Sequence, residues 1–187
     1  ITAKLPDENG LSIVAVVCCL AVWASFGTAQ AASVGQEVAN VQIRDANDKP
    51  ASIPDFGTHV IALTYSNSSA SDLGDPMNDA LKARNYSKEL YRGMGVANLK
   101  DSPVPNFLIR KIVKGKIEKY KSTILTDVDL SLAKAWDLGN CKDKAVFIVV
   151  GTDKKIKYIR YTDKDHLWNK AEIDNVLKLM DELLAKK

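Results

Sequence analysis

AVFIVVGTDKKIKYIRY, residues 145–161, is a six-residue apolar run, a polar turn at Gly151-Thr152-Asp153-Lys154-Lys155, and a second run rich in β-branched and aromatic side chains. Two such runs joined by a short turn that contains glycine read as a β-hairpin. Working outward, Asn169 and Glu172 are spaced as a near-capping box, with Asn in place of the usual Ser or Thr. Ile173, Val176, Leu177, Met180, Leu183 and Leu184 then recur at helical spacing, so the hairpin leads into a C-terminal amphipathic helix packed on the sheet. Upstream, Ile124 to Val128 predicts a strand, and Asp129 is expected to cap a short helix, Leu130 to Leu138, closed by Gly139.

Earlier in the chain, HVIALTY at His59–Tyr65 is a β-branched run long enough for a buried strand. The polar stretch SNSSASDLGDP follows, with two helix starts: Ser69 as N-cap with Asp72 three residues on, or Asp75 with Pro76 at the first helical position. Met77, Ala80 and Leu81 supply one apolar face. Tyr91 to Leu99 predicts another strand, weakened by Gly93 and Gly95. Behind Pro103 and Pro105, the residues Leu108, Ile109, Ile112, Val113, Ile117 and Tyr120 mark a long amphipathic helix with a soft point at Gly115. Strand, helix, strand, helix, strand, helix, hairpin, helix is the order of an α/β layered domain with a mixed sheet and a terminal antiparallel hairpin.

The N-terminal region differs in composition. Lys4 precedes the apolar core LSIVAVVCCLAVWA, Leu11 to Ala24, and small residues lead to Ala29-Gln30-Ala31. These three parts, in this order, read as a removable export signal over residues 1–31, leaving a mature domain of residues 32–187. The run is shorter than the roughly 20 residues that span a bilayer, which argues against an uncleaved anchor. Val17 stands before Cys18 where a lipid-attachment box wants a small residue. Without Lys4, Asp7 and Glu8 the formal charge moves by one, from +3 to +4, too mild and scattered to favour nucleic acid. Cleavage also removes Cys18 and Cys19, so the mature chain holds one thiol, Cys141, and neither an internal disulfide nor a C-x-x-C pair is available to it.

VGQEV near the mature start, Ser68-Ser69-Ala70 after the first long strand, and AWDL followed by AVFIVVGTDKKIKY resemble the YtfJ family of exported bacterial proteins. The resemblance runs from Val34 to Lys187 and is strongest from Ile124 onward. It implies a thioredoxin-like fold, a three-layer sandwich with a mixed central sheet, and a periplasmic address; the family brings little chemistry with it. More distantly, the layout is similar to redoxins, in which a cysteine follows the first core strand at the start of a helix. A helix start stabilises a thiolate there through free N–H groups and the helix dipole. This chain carries Ser66, Asn67, Ser68 and Ser69 in that place. A serine hydroxyl lacks the low pKa and the redox chemistry of sulfur, so the peroxidatic and dithiol mechanisms do not carry over.

Cys141 lies in the loop Asn140-Cys141-Lys142-Asp143-Lys144, where thioredoxin folds place a cis-proline facing the active-site helix. On that analogy the loop faces the Ser68-Ser69 turn, and Lys142 or Lys144 is positioned to lower the thiol pKa. The plainer reading is an inert surface or half-buried cysteine. Ser66, Asn67, Ser68, Ser69, Lys142 and Lys144 are therefore the candidate ligand-binding residues, and Cys141 the one candidate catalytic group.

Other patterns fail on their own terms. Gly93-Met94-Gly95-Val96-Ala97-Asn98 lacks the last glycine of a dinucleotide loop and sits within a strand. Asp45-Ala46-Asn47-Asp48 lacks the glycine and distal glutamate of a calcium loop, and His59 and His166 have no paired ligand spacing, so no metal and no cofactor are expected. The basic stretch Arg110 to Lys121 is a solvated face or a surface for anionic lipid or an acidic partner. Trp136 and Trp168 read as core or half-core residues; exposure of Trp168 would signal a contact surface.

Three functions fit. A non-catalytic exported domain would bind a periplasmic protein or a small ligand at the mouth where a redox site would be. A single-thiol oxidoreductase would use Cys141 in peroxide or disulfide-exchange chemistry. A structural or stress protein would use the Arg110–Lys121 face. The first is preferred, with no nucleic-acid partner and no integral membrane segment after cleavage.

Overall fold

The computed structural model describes residues 31–185; the apolar run assigned to an export signal lies outside them. Seven strands form one mixed sheet: β1 (Ile43–Arg44), β2 (Pro50–Ala51), β3 (Val60–Ser66), β4 (Tyr91–Asn98), β5 (Thr123–Asp127), β6 (Ala145–Val150) and β7 (Ile156–Thr162), in spatial order β2-β1-β5-β4-β3-β6-β7. β3 and β4 run parallel, as do β4 and β5, while β6 returns antiparallel to both β3 and β7. Four helices accompany them: α1 (Asp75–Arg84), α2 (Asn106–Tyr120), α3 (Ser131–Ala135) and α4 (Lys170–Ala185). No helix among the described residues is long and apolar enough to cross a membrane.

The unbroken apolar run of β6 and the nearly continuous one of β3, interrupted at Thr64, follow from covering the sheet on both faces. Successive side chains of a strand point to opposite faces. On one face Ile61, Leu63, Tyr65, Val146, Ile148 and Val150 pack with the N-terminal Val38, Ile43 and Ile53 and with Leu132, Trp136 and Leu138 around α3. On the other, Val60, Ala62, Phe147 and Val149 meet Met77 and Leu81 of α1 and Val176, Leu177 and Met180 of α4. A third cluster joins Ile109 and Val113 of α2 to Ala46 and Leu99. The result is the three-layer arrangement expected from the element order.

Local chemistry explains the boundaries. The β6–β7 hairpin forms in register from Ala145↔Thr162 to Ile148↔Ile159, with an irregularity at Val149/Val150. The Asn169/Glu172 box closes reciprocally: Glu172 N–H donates to Asn169 Oδ1 at 3.0 Å and Asn169 N–H to Glu172 Oε2 at 3.1 Å. Gly93 persists within β4 because the Tyr91 ring folds over it; a Cβ there would stand 2.5 Å from Tyr91 Oη.

Two helix starts differ from expectation. Ser68–Ala70 makes only a single 3-10 turn, and α1 begins with Asp75 inside the helix after Gly74, so neither Ser69 nor Asp75 is the cap. The short helix is also held differently. Asp127 at the end of β5 accepts from the N–H groups of Ser131, Leu132 and Ala133 at 2.8, 3.1 and 3.3 Å, whereas Asp129 receives Ser131 alone. The strand end therefore caps α3 through a buried carboxylate, and the segment to Leu138 finishes in a turn.

Candidate functional site

The C-terminal ends of parallel strands β3 and β4 and the start of β6 meet at one edge of the sheet, since Ser66 pairs with both Ala97 and Ala145. The three loops that leave this edge enclose a mouth of about 440 Å³ lined by Ser69, Lys100, Asp101, Ser102, Pro103, Lys142 and Asp143. Open α/β sheets bind ligands beyond the C-terminal ends of their parallel strands, so this is a favoured place for a site.

Asn67 ties the loops together. Its Nδ2 donates to the Asp101 carbonyl at 3.2 Å and to Asp143 Oδ1 at 3.1 Å, bridging the loops after β4 and before β6. Both donors being spent on acceptors, the amide has one orientation, which leaves Oδ1 buried with no partner. Ser68 N–H donates to Ser102 Oγ, which donates onward to the Asn98 carbonyl at 2.6 Å, while Ser68 Oγ is also buried without a partner. Buried polar atoms of native proteins are almost always satisfied, so an amide oxygen and a hydroxyl without partners beside one mouth are a local anomaly.

Of the residues expected at the site, Ser69 and Lys142 line the mouth, and Asn67 and Ser68 form its supporting wall. Ser66 is the last residue of β3 and Lys144 is half-buried away from the lining. The loop after β4 went unread in the sequence. Asn98 Nδ2 donates to Asp101 Oδ2 at 2.8 Å and Asp101 N–H to Asn98 Oδ1 at 3.1 Å, a polar turn that presents Lys100 and Ser102. The three-residue spacing of Asn98 and Asp101 ahead of Pro103 was the available signal.

Cys141 sits beneath this surface, 2% exposed, inside the apolar cluster of the first face. Its Sγ lies 3.5 Å from the Leu138 carbonyl as a weak donor. Burial pushes the thiol up from 9.0 to about 11, reinforced by the negative charge of Asp101. Lys144 pulls in the expected direction, but its effect is smaller than the cost of removing the thiolate from water. Nearby, Tyr65 Oη donates to Asp127 Oδ2 at 3.1 Å, and burial raises the pKa of both groups.

The remaining sequence features fall into ordinary roles. Asp45 Oδ1 accepts from the Asn47 and Lys49 N–H groups in a polar turn, and no cluster of three or more metal-ligating His, Cys, Asp or Glu occurs among the described residues. His59, half-buried, contacts Thr58, and His166, exposed, contacts Asp163. Trp136 is core, its Nε1 donating to the Ala39 carbonyl at 2.8 Å. Trp168 is half-buried between Tyr158 and the Arg160 guanidinium, with its Nε1 unpartnered.

Solved structures share this architecture. The pneumococcal exposed lipoprotein thioredoxin Etrx1 of Streptococcus pneumoniae aligns with a TM-score of 0.56 at 14% identity, over 78% of this chain and 100% of that one. A DsbF homologue of Corynebacterium diphtheriae aligns at 0.56 and 11% identity, over 80% and 87%. A peroxiredoxin-like protein of Aquifex aeolicus aligns at 0.58 and 12% identity, over 82% and 89%. Identities this low establish the thioredoxin-like fold and nothing of the chemistry. No curated protein matches the chain. The family model YtfJ_HI0045, described as bacterial protein of unknown function, matches residues 55–183, and the chain belongs to that family.

Proposed function

We propose that residues 32–187 form an exported, periplasmic thioredoxin-like domain, released from a signal at residues 1–31, that binds a protein segment or small ligand without thiol turnover. The mouth between Asn67–Ser69, Lys100–Pro103 and Lys142–Asp143 is its binding surface. The observation that carries this reading is the pair of buried polar atoms, Asn67 Oδ1 and Ser68 Oγ, left without partners behind an open mouth of about 440 Å³. Both atoms lie behind the lining, so a ligand would meet Ser69, Lys100, Ser102 and Lys142 first and would pair with Asn67 Oδ1 and Ser68 Oγ only as the Asn67–Ser69 turn opens. Hydroxyls stand where redoxins carry sulfur, and the Cys141 thiol is buried and weakly acidic, which supports binding over thiol chemistry. Export is supported by the ordered basic, apolar and A-x-A segments at the N-terminus.

The test uses the chain from Ala32, which contains all three apolar clusters. Alkylation of Cys141 is measured against pH, and amide resonances of Ser68, Ser69, Ser102 and Lys142 are followed as reduced, carboxymethylated α-lactalbumin, an unfolded polypeptide, is added. Slow alkylation titrating near 11, with shifts confined to the mouth, supports the binding role. Rapid alkylation at neutral pH would transfer the assignment to a single-thiol oxidoreductase using Cys141.

A further inference from the structure

Helix α2 carries an apolar surface that its own packing leaves unused. Ile109 and Val113 face the core, but Phe107 is 69% exposed, Leu108 41%, Ile112 55%, and Tyr120 at the far end 52%. Scattered exposed apolar residues are commonplace; these are not scattered. Leu108 and Ile112 stand one turn apart, with Phe107 and the Lys111 stem beside them, so the first two turns present a continuous ridge.

The charges around the ridge divide by direction. On the flanks turned toward the body, Arg110 pairs with Asp48 at 2.5 Å and Lys116 approaches Asp72 at 4.0 Å. On the outward side Lys111, Lys114, Lys119 and Lys121 are exposed, and none of them forms an ion pair among the described residues. Lys119 and Lys82 instead place their ammonium groups 4.9 and 5.3 Å from the Tyr120 ring, concentrating positive charge around an exposed tyrosine. Glu118 is the one acidic residue of the helix.

We infer that the outward face of α2 docks on an anionic phospholipid surface, with Phe107, Leu108 and Ile112 entering the boundary between headgroups and acyl chains. Lys111, Lys114, Lys119 and Lys121 then meet lipid phosphates. The charge complementarity selects an anionic occupant, and the shape selects a bilayer. A folded partner would need a groove for the ridge together with acidic groups on both its flanks, whereas an anionic bilayer offers an apolar interior and phosphates across its whole surface. Clustered lysines near apolar side chains combine the two attractions that interfacial helices use. Pro103, which lines the mouth, stands three residues before α2 begins, so docking would hold the candidate site close to the membrane. This inference does not depend on what the mouth binds.

The test is sedimentation of the chain from Ala32 with vesicles of phosphatidylcholine alone and of phosphatidylcholine mixed with phosphatidylglycerol. Binding to the mixed vesicles alone, weakening as salt is raised, is expected. Phe107→Ser with Ile112→Ser should lower the association constant about tenfold or more. Lys111→Gln with Lys114→Gln and Lys119→Gln should lower it by a similar factor. Lys88→Gln and Lys178→Gln, exposed lysines elsewhere, should leave it unchanged. All the substituted positions but the first pair are charged surface groups, and an unchanged melting midpoint verifies that each variant folds. Equal binding to both vesicle types, no binding, or insensitivity to the α2 substitutions overturns the inference. So does self-association in light scattering that Phe107→Ser abolishes, which would make a second copy the occupant.

Discussion

Asp127 is a carboxylate in a place that disfavours its charge, and the groups around it define what it does. Burial raises its pKa from 3.8, while the Tyr65 hydroxyl and three N–H groups of α3 pull the other way without prevailing. Asp127→Ala would orphan the tyrosine hydroxyl and two of those N–H groups, and a loss of about 3 kcal/mol in denaturant unfolding is expected. The pH dependence follows from the same shift. A folded-state pKa above the unfolded one means that folding takes up a proton, so the contribution of Asp127 is complete below 3.8 and is lost as pH rises through the raised value. Relative to Asp127→Asn, the natural protein should gain stability on acidification; a difference that grows as pH increases would refute the assignment. Cys141 obeys the same sign at the alkaline end. Its contribution is intact below 9.0 and falls away toward 11, so the natural protein should lose stability relative to Cys141→Ala across that window, and equal alkaline unfolding of the two would show the thiol to be solvated.

Among elements, the junction of β7 with α4 depends on a few polar contacts around one cation. Arg160 reaches Glu172 at 2.8 Å, Thr162 Oγ1 at 2.8 Å and the Leu167 carbonyl at 3.0 Å, and its guanidinium carbon lies 4.3 Å from the Trp168 ring. Glu172 simultaneously completes the capping box with Asn169. Asn169→Ala should therefore cost about 1 kcal/mol, the usual value of a cap. Arg160→Ala should cost about 2 kcal/mol, because it leaves Glu172 without its partner and uncovers Trp168. Thermal melts of the two single variants and the double variant check both values; strict additivity would mean that Glu172 does not couple them. These contacts were partly legible. Asn169 and Glu172 announce themselves by spacing, and so does the hairpin, because local patterns need no knowledge of neighbours. The α3 cap was misread as Asp129 because two aspartates stand within reach of the same N–H groups. Only the path of β5 into the core decides which one turns inward.

For the whole molecule, legibility follows the range of the interaction. The element order could be read from periodicity, whereas setting Asn67–Ser69 opposite Lys142 rested on the likeness to thioredoxin folds, in which the loop after the first core strand faces the loop before the hairpin. The second wall of the mouth, Lys100–Pro103, was missed because its importance comes from tertiary closure onto Asn67. Burial of Cys141 was likewise invisible, as its surroundings are supplied by Leu138, Tyr65 and the sheet rather than by its sequence neighbours. That burial carries a consequence for the intact fold. The described residues are held by three apolar clusters, and Cys141, the one cysteine among them, is free and 2% exposed, so no covalent cross-link contributes to the stability of a chain begun at Ala32. Its melting midpoint should agree within about 1 °C with and without a thiol reductant, a tolerance set by the few degrees that 1 kcal/mol represents in a chain of this size. Scanning calorimetry of samples held under air and under reductant provides the comparison. A midpoint that falls by several degrees on reduction would place Cys141 in an intermolecular bridge, which the thiol can reach only by leaving the core, and the binding reading would then give way to disulfide exchange.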